Sequence, residues 1–160
     1  MSKRKTPQEK RDELLIRRLV PDDLEDILNI ERLSFNTPWS RESYERELKD
    51  NPLAYYLGCF LNGQLAGYAG FWLILDEGHI ANVAVHPQCR GRGVGGFLLE
   101  NLISLCFVSG GRWMTLEVRE SNTGAQGLYH KLGFADLGKR PGYYGDGEDA
   151  IIMWKDMRSF

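Results

Sequence analysis

Residues 82–96 read Asn82-Val83-Ala84-Val85-His86-Pro87-Gln88-Cys89-Arg90-Gly91-Arg92-Gly93-Val94-Gly95-Gly96, a β-branched run that stops at a proline and enters a helix through glycines. Glycine has no Cβ, so its amide can approach a ligand closely and its φ can turn positive. The first turn of the helix that follows leaves N–H groups without internal partners. Those amides, the positive end of the helix and the guanidinium groups of Arg90 and Arg92 make a cradle for an anion, with a phosphate or diphosphate as the natural occupant. The Gly-x-x-x-x-Gly-Lys-Ser/Thr of a P-loop is absent, and a dinucleotide fingerprint with a ribose-binding acid on the next strand is not read here.

Upstream, Leu14 to Leu19 reads as a short strand, and Pro21-Asp22-Asp23 opens a helix with Leu24, Ile27, Leu28 and Glu31 on one face. A carboxylate on that stripe points inward. Ser40 is placed to cap a second helix through Tyr44 and Leu48. Asn62-Gly63 supplies the two positive-φ positions of a hairpin turn between strands at 55–61 and 64–75, and a loop at Asp76-Glu77-Gly78 leads into a strand at 79–85.

Downstream, Val94, Phe97, Leu98, Leu102, Leu105 and Cys106 recur at helical spacing until Gly110-Gly111. Trp113 to Val118 reads as a buried strand that returns parallel to 79–85. Ser121-Asn122-Thr123 caps another helix, with Ala125, Leu128, Tyr129 and Leu132 on its face and Gly133 at its end. Segments 134–139 and 150–154 pair as a final hairpin. The expected class is α/β in the α+β mixed-sheet sense, mostly antiparallel, with helices on its faces.

The 160 residues fit one domain over 13–160, preceded by a basic arm, 1–12, whose Lys3, Arg4, Lys5, Lys10 and Arg11 read as a solvated tail. A net charge of -2 gives no general attraction to nucleic acid. No apolar run reaches membrane-spanning length and no signal-type segment follows the N-terminus, so the expected location is the cytoplasm. Cys59, Cys89 and Cys106 have no metal-ligand spacing; Cys59 and Cys106 fall on apolar faces, as small buried hydrophobes do. No metal is expected.

Arg90-Gly91-Arg92-Gly93-Val94-Gly95 resembles the Gln/Arg-x-x-Gly-x-Gly/Ala diphosphate loop of the GNAT N-acetyltransferases, which binds coenzyme A. The likeness covers about residues 14–157 and follows the same order of elements. Within that superfamily the chain is similar to enzymes that acetylate the N-terminal alanine of a ribosomal protein. Pro38-Trp39-Ser40, Asn82 to Pro87, Leu116 to Asn122, Leu128-Tyr129 with Leu132-Gly133-Phe134, and Tyr143-Tyr144 followed by Glu148 to Met153 carry this similarity. It implies the acyl-CoA acyltransferase fold, with a central parallel pair of strands splayed apart.

The resemblance further implies acetyl-CoA as co-substrate and direct transfer in a ternary complex to the α-amine of a protein N-terminus, that of a small-subunit ribosomal protein. An α-amine of pKa about 8 must lose a proton before it can attack a thioester. The likeness makes Glu117 the general base and Tyr129 the general acid. The other readings are an ion pair of Glu117 with Arg119 or Arg112, and a Tyr129 that only packs. Backbone groups of Val83, Ala84 and Val85, the amides of Gly91, Gly93, Val94, Gly95 and Gly96, Arg90 and Arg92, and Asn122 would hold the coenzyme.

For the acceptor the candidates are Phe35 and Trp39, Tyr143 and Tyr144, and Glu31, which would meet the amine or else form a structural salt bridge. His79 reads as a surface strand residue, His86 as a turn cap, and His130 points about 100° away from Tyr129. A small amine or a lysine side chain as acceptor, or a coenzyme-binding module without turnover, are the alternative functions. A monomer without membrane or nucleic-acid partners is the expected state.

Overall fold

The computed structural model describes residues 12–158, so the expected arm lies, apart from Asp12, outside the described residues. Strand β1 (Leu14–Arg18) is followed by a single 3₁₀ turn at Pro21–Asp23 and helices α1 (Leu24–Ser34) and α2 (Arg41–Lys49). Strands β2 (Ala54–Leu61), β3 (Gln64–Ile74) and β4 (Glu77–Val85) come next. Helix α3 (Val94–Val108), strand β5 (Trp113–Arg119), helix α4 (Thr123–Lys131) and strands β6 (Ala135–Arg140) and β7 (Ala150–Asp156) complete the order.

The strands form one sheet in the order β1-β2-β3-β4-β5-β7-β6, in which β4 and β5 alone are parallel. Alternation along each strand sends apolar side chains to two cores. Leu57, Cys59, Phe71 and Met114 meet α3 and α4 on one face, while Tyr56, Phe60 and Tyr68 meet α1 and α2 on the other. Burial raises the thiol pKa of Cys59 and Cys106, the latter to about 11, as expected of cysteines used as packing.

Local signals set the boundaries. Ser40 Oγ accepts from the Ser43 amide at 3.2 Å and starts α2, and Asn62 and Gly63 take φ of 51° and 85° in the β2–β3 turn. The β3–β4 connection differs from the expected loop at Asp76–Gly78: Ile74 pairs with Glu77, so the turn is Leu75-Asp76, with Leu75 at φ 58° and 93% exposed. Gly78 lies inside β4 because backbone and helix approach closely there. A Cβ on it would stand 2.5 Å from the Sγ of buried Cys106. Gly78→Ala is therefore expected to cost about 1–3 kcal/mol of stability, read as a lower urea midpoint; an unchanged midpoint would show that α3 yields.

What positions the site is a defect in the ladder. Gly70 pairs with Asn82 and Phe71 with Ile80, which leaves Ala81 as an extra residue, a bulge that bends β4. Parallel pairing with β5 stops at the same point, after Glu77–Trp113, Gly78–Met114 and His79–Thr115. Beyond it β5 continues beside β7 only, and the β4 edge from Ala81 to Val85 runs free of β5. A wedge thus opens toward the C-terminal ends of two parallel strands, where the N-termini of α3 and α4 stand.

Candidate active site

The loop after β4 has the geometry of an anion cradle. Gly91 and Gly93 adopt φ of 78° and 79°, and a Cβ on either would meet nothing within 4 Å, so conformation rather than space calls for glycine. The first α3 bond runs from Phe97 N–H to Gly93 C=O at 3.1 Å, which leaves the amides of Val94, Gly95 and Gly96 ahead of the ladder. Val94 is buried, so only its backbone can serve a ligand. At Gly95 and Gly96 a Cβ would make ordinary contacts of 3.6–3.8 Å with Leu128 and Val85. Arg90 is exposed, and the half-exposed Arg92 lies 4.0 Å from Asp12. Val83 and Val85 pack toward the α3 core and Ala84 toward the α1 core, leaving their main chain on the open edge.

Glycine spacing alone does not decide what occupies this cradle. Gly91, Gly93 and Gly96 do have the spacing of a dinucleotide loop, and the acid Glu117 follows on the next strand, so the sequence reading that set this motif aside is corrected. The topology separates the two, because a dinucleotide fold needs successive parallel strands and here β4 has an antiparallel neighbour on its other side.

Glu117 projects from β5 onto the α1–α2 face of the sheet. Its Oε2 lies 2.7 Å from His79 Nε2, and its Oε1 lies 3.9 Å from Arg140. Only 12% of the Glu117 side chain is exposed. The hydrogen bond from His79 holds its carboxyl below the ordinary carboxylate range against the opposing effect of burial, with smaller help from the charges of His79 and Arg140. The partner is thus neither Arg119 nor Arg112, and His79, read as a surface residue, is part-buried, with 29% of its side chain exposed.

The strands explain the pairing. His79 stands opposite Thr115, two residues before Glu117, on the last rung before the wedge. Polar Thr115 and Glu117 alternate with buried Met114, Leu116 and Val118. That alternation, read together with the parallel partner, was the signal that could have joined the two.

Tyr129 is buried against Phe134, ring centroids 5.8 Å apart. Burial, with some repulsion from Tyr144, pushes its phenol up to about 12. Tyr144 in turn is raised to about 12 by burial, and Glu117 is among the charges acting on it. Asn122 caps α4, its Oδ1 accepting from the Ala125 amide at 3.2 Å. His86 Nδ1 accepts from the Gln88 amide at 3.1 Å, a turn cap as expected, and exposed His130 pairs with Asp136.

The β6–β7 loop is pinned to this region by Glu148, which accepts from Arg119 at 2.9 Å and from the Ser121 amide at 2.8 Å. Arg119 lies over the Tyr144 ring at 4.1 Å, while Tyr143 remains 46% exposed with Arg140 over its ring. In the loop after α1, Phe35 is exposed. Trp39 packs its ring 5.4 Å from Tyr44 and donates its amide to Glu31 Oε1 at 3.0 Å.

Glu31 requires correction. It is 3% exposed, and besides the Trp39 amide it accepts from the hydroxyls of Tyr44, at 2.8 Å, and Tyr68. These are neutral donors, so among the described residues neither the salt bridge nor an open carboxylate for an incoming amine is found. Glu31 ties the α1–α2 loop to the sheet. Glu47, passed over in the sequence, does likewise from α2: it accepts from Trp72 Nε1 at 2.7 Å, Tyr56 at 3.1 Å and Asn51 at 2.6 Å.

The wedge thus joins a splayed parallel pair, a helix start suited to an anion at its mouth and the Glu117–His79 pair at its apex, and comparison with known proteins gives the class of protein to which this arrangement belongs. The profile of the Acetyltransferase (GNAT) family matches residues 24–134, and the chain belongs to that family, whose members use acetyl-CoA. It is 43% identical to a Bacillus subtilis (strain 168) candidate ribosomal protein bS18-alanine N-acetyltransferase, over 87% of this chain and 93% of that protein. It is 38% identical to the Escherichia coli (strain K12) ribosomal protein bS18-alanine N-acetyltransferase, over 82% and 89%. The crystal structure of the ribosomal-protein-S18-alanine N-acetyltransferase from Escherichia coli superposes with TM-score 0.83 at 34% identity, covering 91% of this chain and 94% of that one. Ard1 from Thermoplasma volcanium gives 0.80 at 27% identity, over 89% and 97%. Among the described residues no helix is long and apolar enough to cross a membrane.

Proposed function

We propose that this chain transfers the acetyl group of acetyl-CoA to the N-terminal α-amine of a protein, the alanine of a small-subunit ribosomal protein, as its relatives' names state for them. The observation that carries this reading is the Glu117–His79 pair at the apex of the wedge, beside the β4 edge that runs on unpaired with β5 to the α3 cradle. The amides of Val94, Gly95 and Gly96, with Arg90 and Arg92, hold the coenzyme's diphosphate. The backbone of Val83, Ala84 and Val85 pairs with its amide arm as an added strand. Asn122 adds a polar contact at the start of α4.

Acetyl-CoA supplies an activated thioester carbonyl. Glu117, ionised at neutral pH, attracts the ammonium of the acceptor, and the Glu117–His79 pair takes its proton directly or through water, which leaves a neutral nitrogen able to attack. Tyr129, still protonated because of its burial, gives its proton to the departing sulfur. Phe35, Trp39, Tyr143 and Tyr144 flank the path of the acceptor. No side chain is acylated.

The test is a panel of acceptors: an Ala-initiated peptide, the same peptide with a blocked N-terminus and an internal lysine, and a polyamine. Mass-spectrometric localisation should place one acetyl group on the α-nitrogen of the first. Acetylation of the lysine or the polyamine with the α-amine untouched would overturn the reading.

A further inference from the structure

On the α1–α2 face a cleft of about 420 Å³ opens between α2, the segment after it and the sheet. Trp39 and Trp72 wall it, Glu47 and Asp50 supply two acids, and Arg46 supplies one base. Glu47 is the unusual member. It is 8% exposed, its three partners are the neutral donors of Trp72, Tyr56 and Asn51, and among the described residues no ion pair involves it. A buried carboxylate whose donors are all neutral favours a cation on its open side. Its Oε2 carries one of these bonds, so a further acceptor position remains on that atom. Indole walls beside an anionic floor suit a guanidinium or an ammonium group, through ring faces as well as charge.

The cleft is joined to the chemistry by the sheet. Trp72 pairs across β3–β4 with His79, their ring centroids 6.0 Å apart, and His79 meets Glu117 on β5. Glu117 lies two strand spacings of about 4.8 Å across from Trp72 and two residues further along, roughly 12 Å in all, a span that two or three extended residues and a long basic side chain cover together. We infer that the Trp39–Trp72–Glu47 cleft is a specificity subsite that takes an arginine or lysine side chain at the second or third residue of the acceptor. This rests on the α-amine acetylation proposed above.

The test uses the full chain, acetyl-CoA, and Ala-initiated peptides that carry either arginine or its neutral isostere citrulline at residue 2 or 3. Arginine at one of these positions should raise kcat/KM by about tenfold or more, chiefly through KM. Glu47→Gln should bring the arginine-to-citrulline ratio toward one. Because three donors converge on Glu47, that variant can lose its fold, so exposed Asp50 provides the second: Asp50→Lys should also collapse the ratio. Equal use of arginine and citrulline at both positions, with acetylation intact, overturns the subsite alone, as does an arginine preference that survives in either folded variant. A chain that acetylates no peptide α-amine overturns the functional reading and the subsite together.

Discussion

Glu117→Gln is expected to lower kcat by about 10²–10³, the range of a lost proton-transfer partner, while the far-UV spectrum stays that of the parent. Glutamine keeps the shape and can still meet His79, but it carries no charge to draw an ammonium and takes up no proton. The pH behaviour separates this role from a structural one. The Glu117 carboxyl is held below its ordinary 4.5, so it is already ionised across the neutral range and gives no rise there. Because Glu117 draws the acceptor as its ammonium, kcat/KM in the parent should hold level through the neutral range and fall as the free amine loses its proton, around pH 8, and steady-state profiles check this. A variant with parental kcat would remove Glu117 from the reaction.

The same shift has a consequence for folding. A carboxyl whose folded value lies below its unfolded one stabilises the native state above about pH 4.5, and that contribution is lost as pH falls through the lowered value. Glu117→Gln should therefore weaken the acid dependence of stability below pH 4.5. A variant that lost activity and kept the full acid dependence would point to misplacement of the coenzyme instead.

The second large effect is expected at Tyr129. Tyr129→Phe removes one oxygen from a buried ring that would keep its contact with Phe134, so the fold should be retained and kcat should drop by about 10²-fold or more. With its phenol pushed up to about 12, Tyr129 remains a proton donor at every pH at which the assay runs. The loss should therefore be uniform with pH, and affinity for acetyl-CoA, read by calorimetry, should be unchanged. If Tyr129 only fills space, kcat will stay within a few-fold of the parent.

The elements set by local chemistry were legible in the sequence. The Asn62-Gly63 turn, the Ser40 and Asn122 caps and the glycines before α3 each act within a few residues and appear where they were read. The Leu75-Asp76 turn was missed because a bulky residue at positive φ carries no turn signature, whereas Gly78 mimicked one while serving the contact with Cys106. The Ala81 bulge is a mismatch of register between strands and is written in neither strand alone. The site divides in the same way. Gly91 to Gly96 could be located from one segment, but the Glu117–His79 bond joins residues 38 apart. Glu31 was misread because its donors come from α2, β3 and the loop at Trp39, which a single helical stripe does not reveal.

An interior gap in a sheet raises the hazard that any unsatisfied β-edge carries, recruitment of a stranger's backbone. Here the exposed rail is short, from Ala81 to Val85, and it is recessed between β3 and the α3 side of the molecule, with β5 and β7 continuing beyond. A thin, flexible chain with amide groups fits such a slot more readily, so the recess that would deter a foreign strand would also filter the ligand proposed for it.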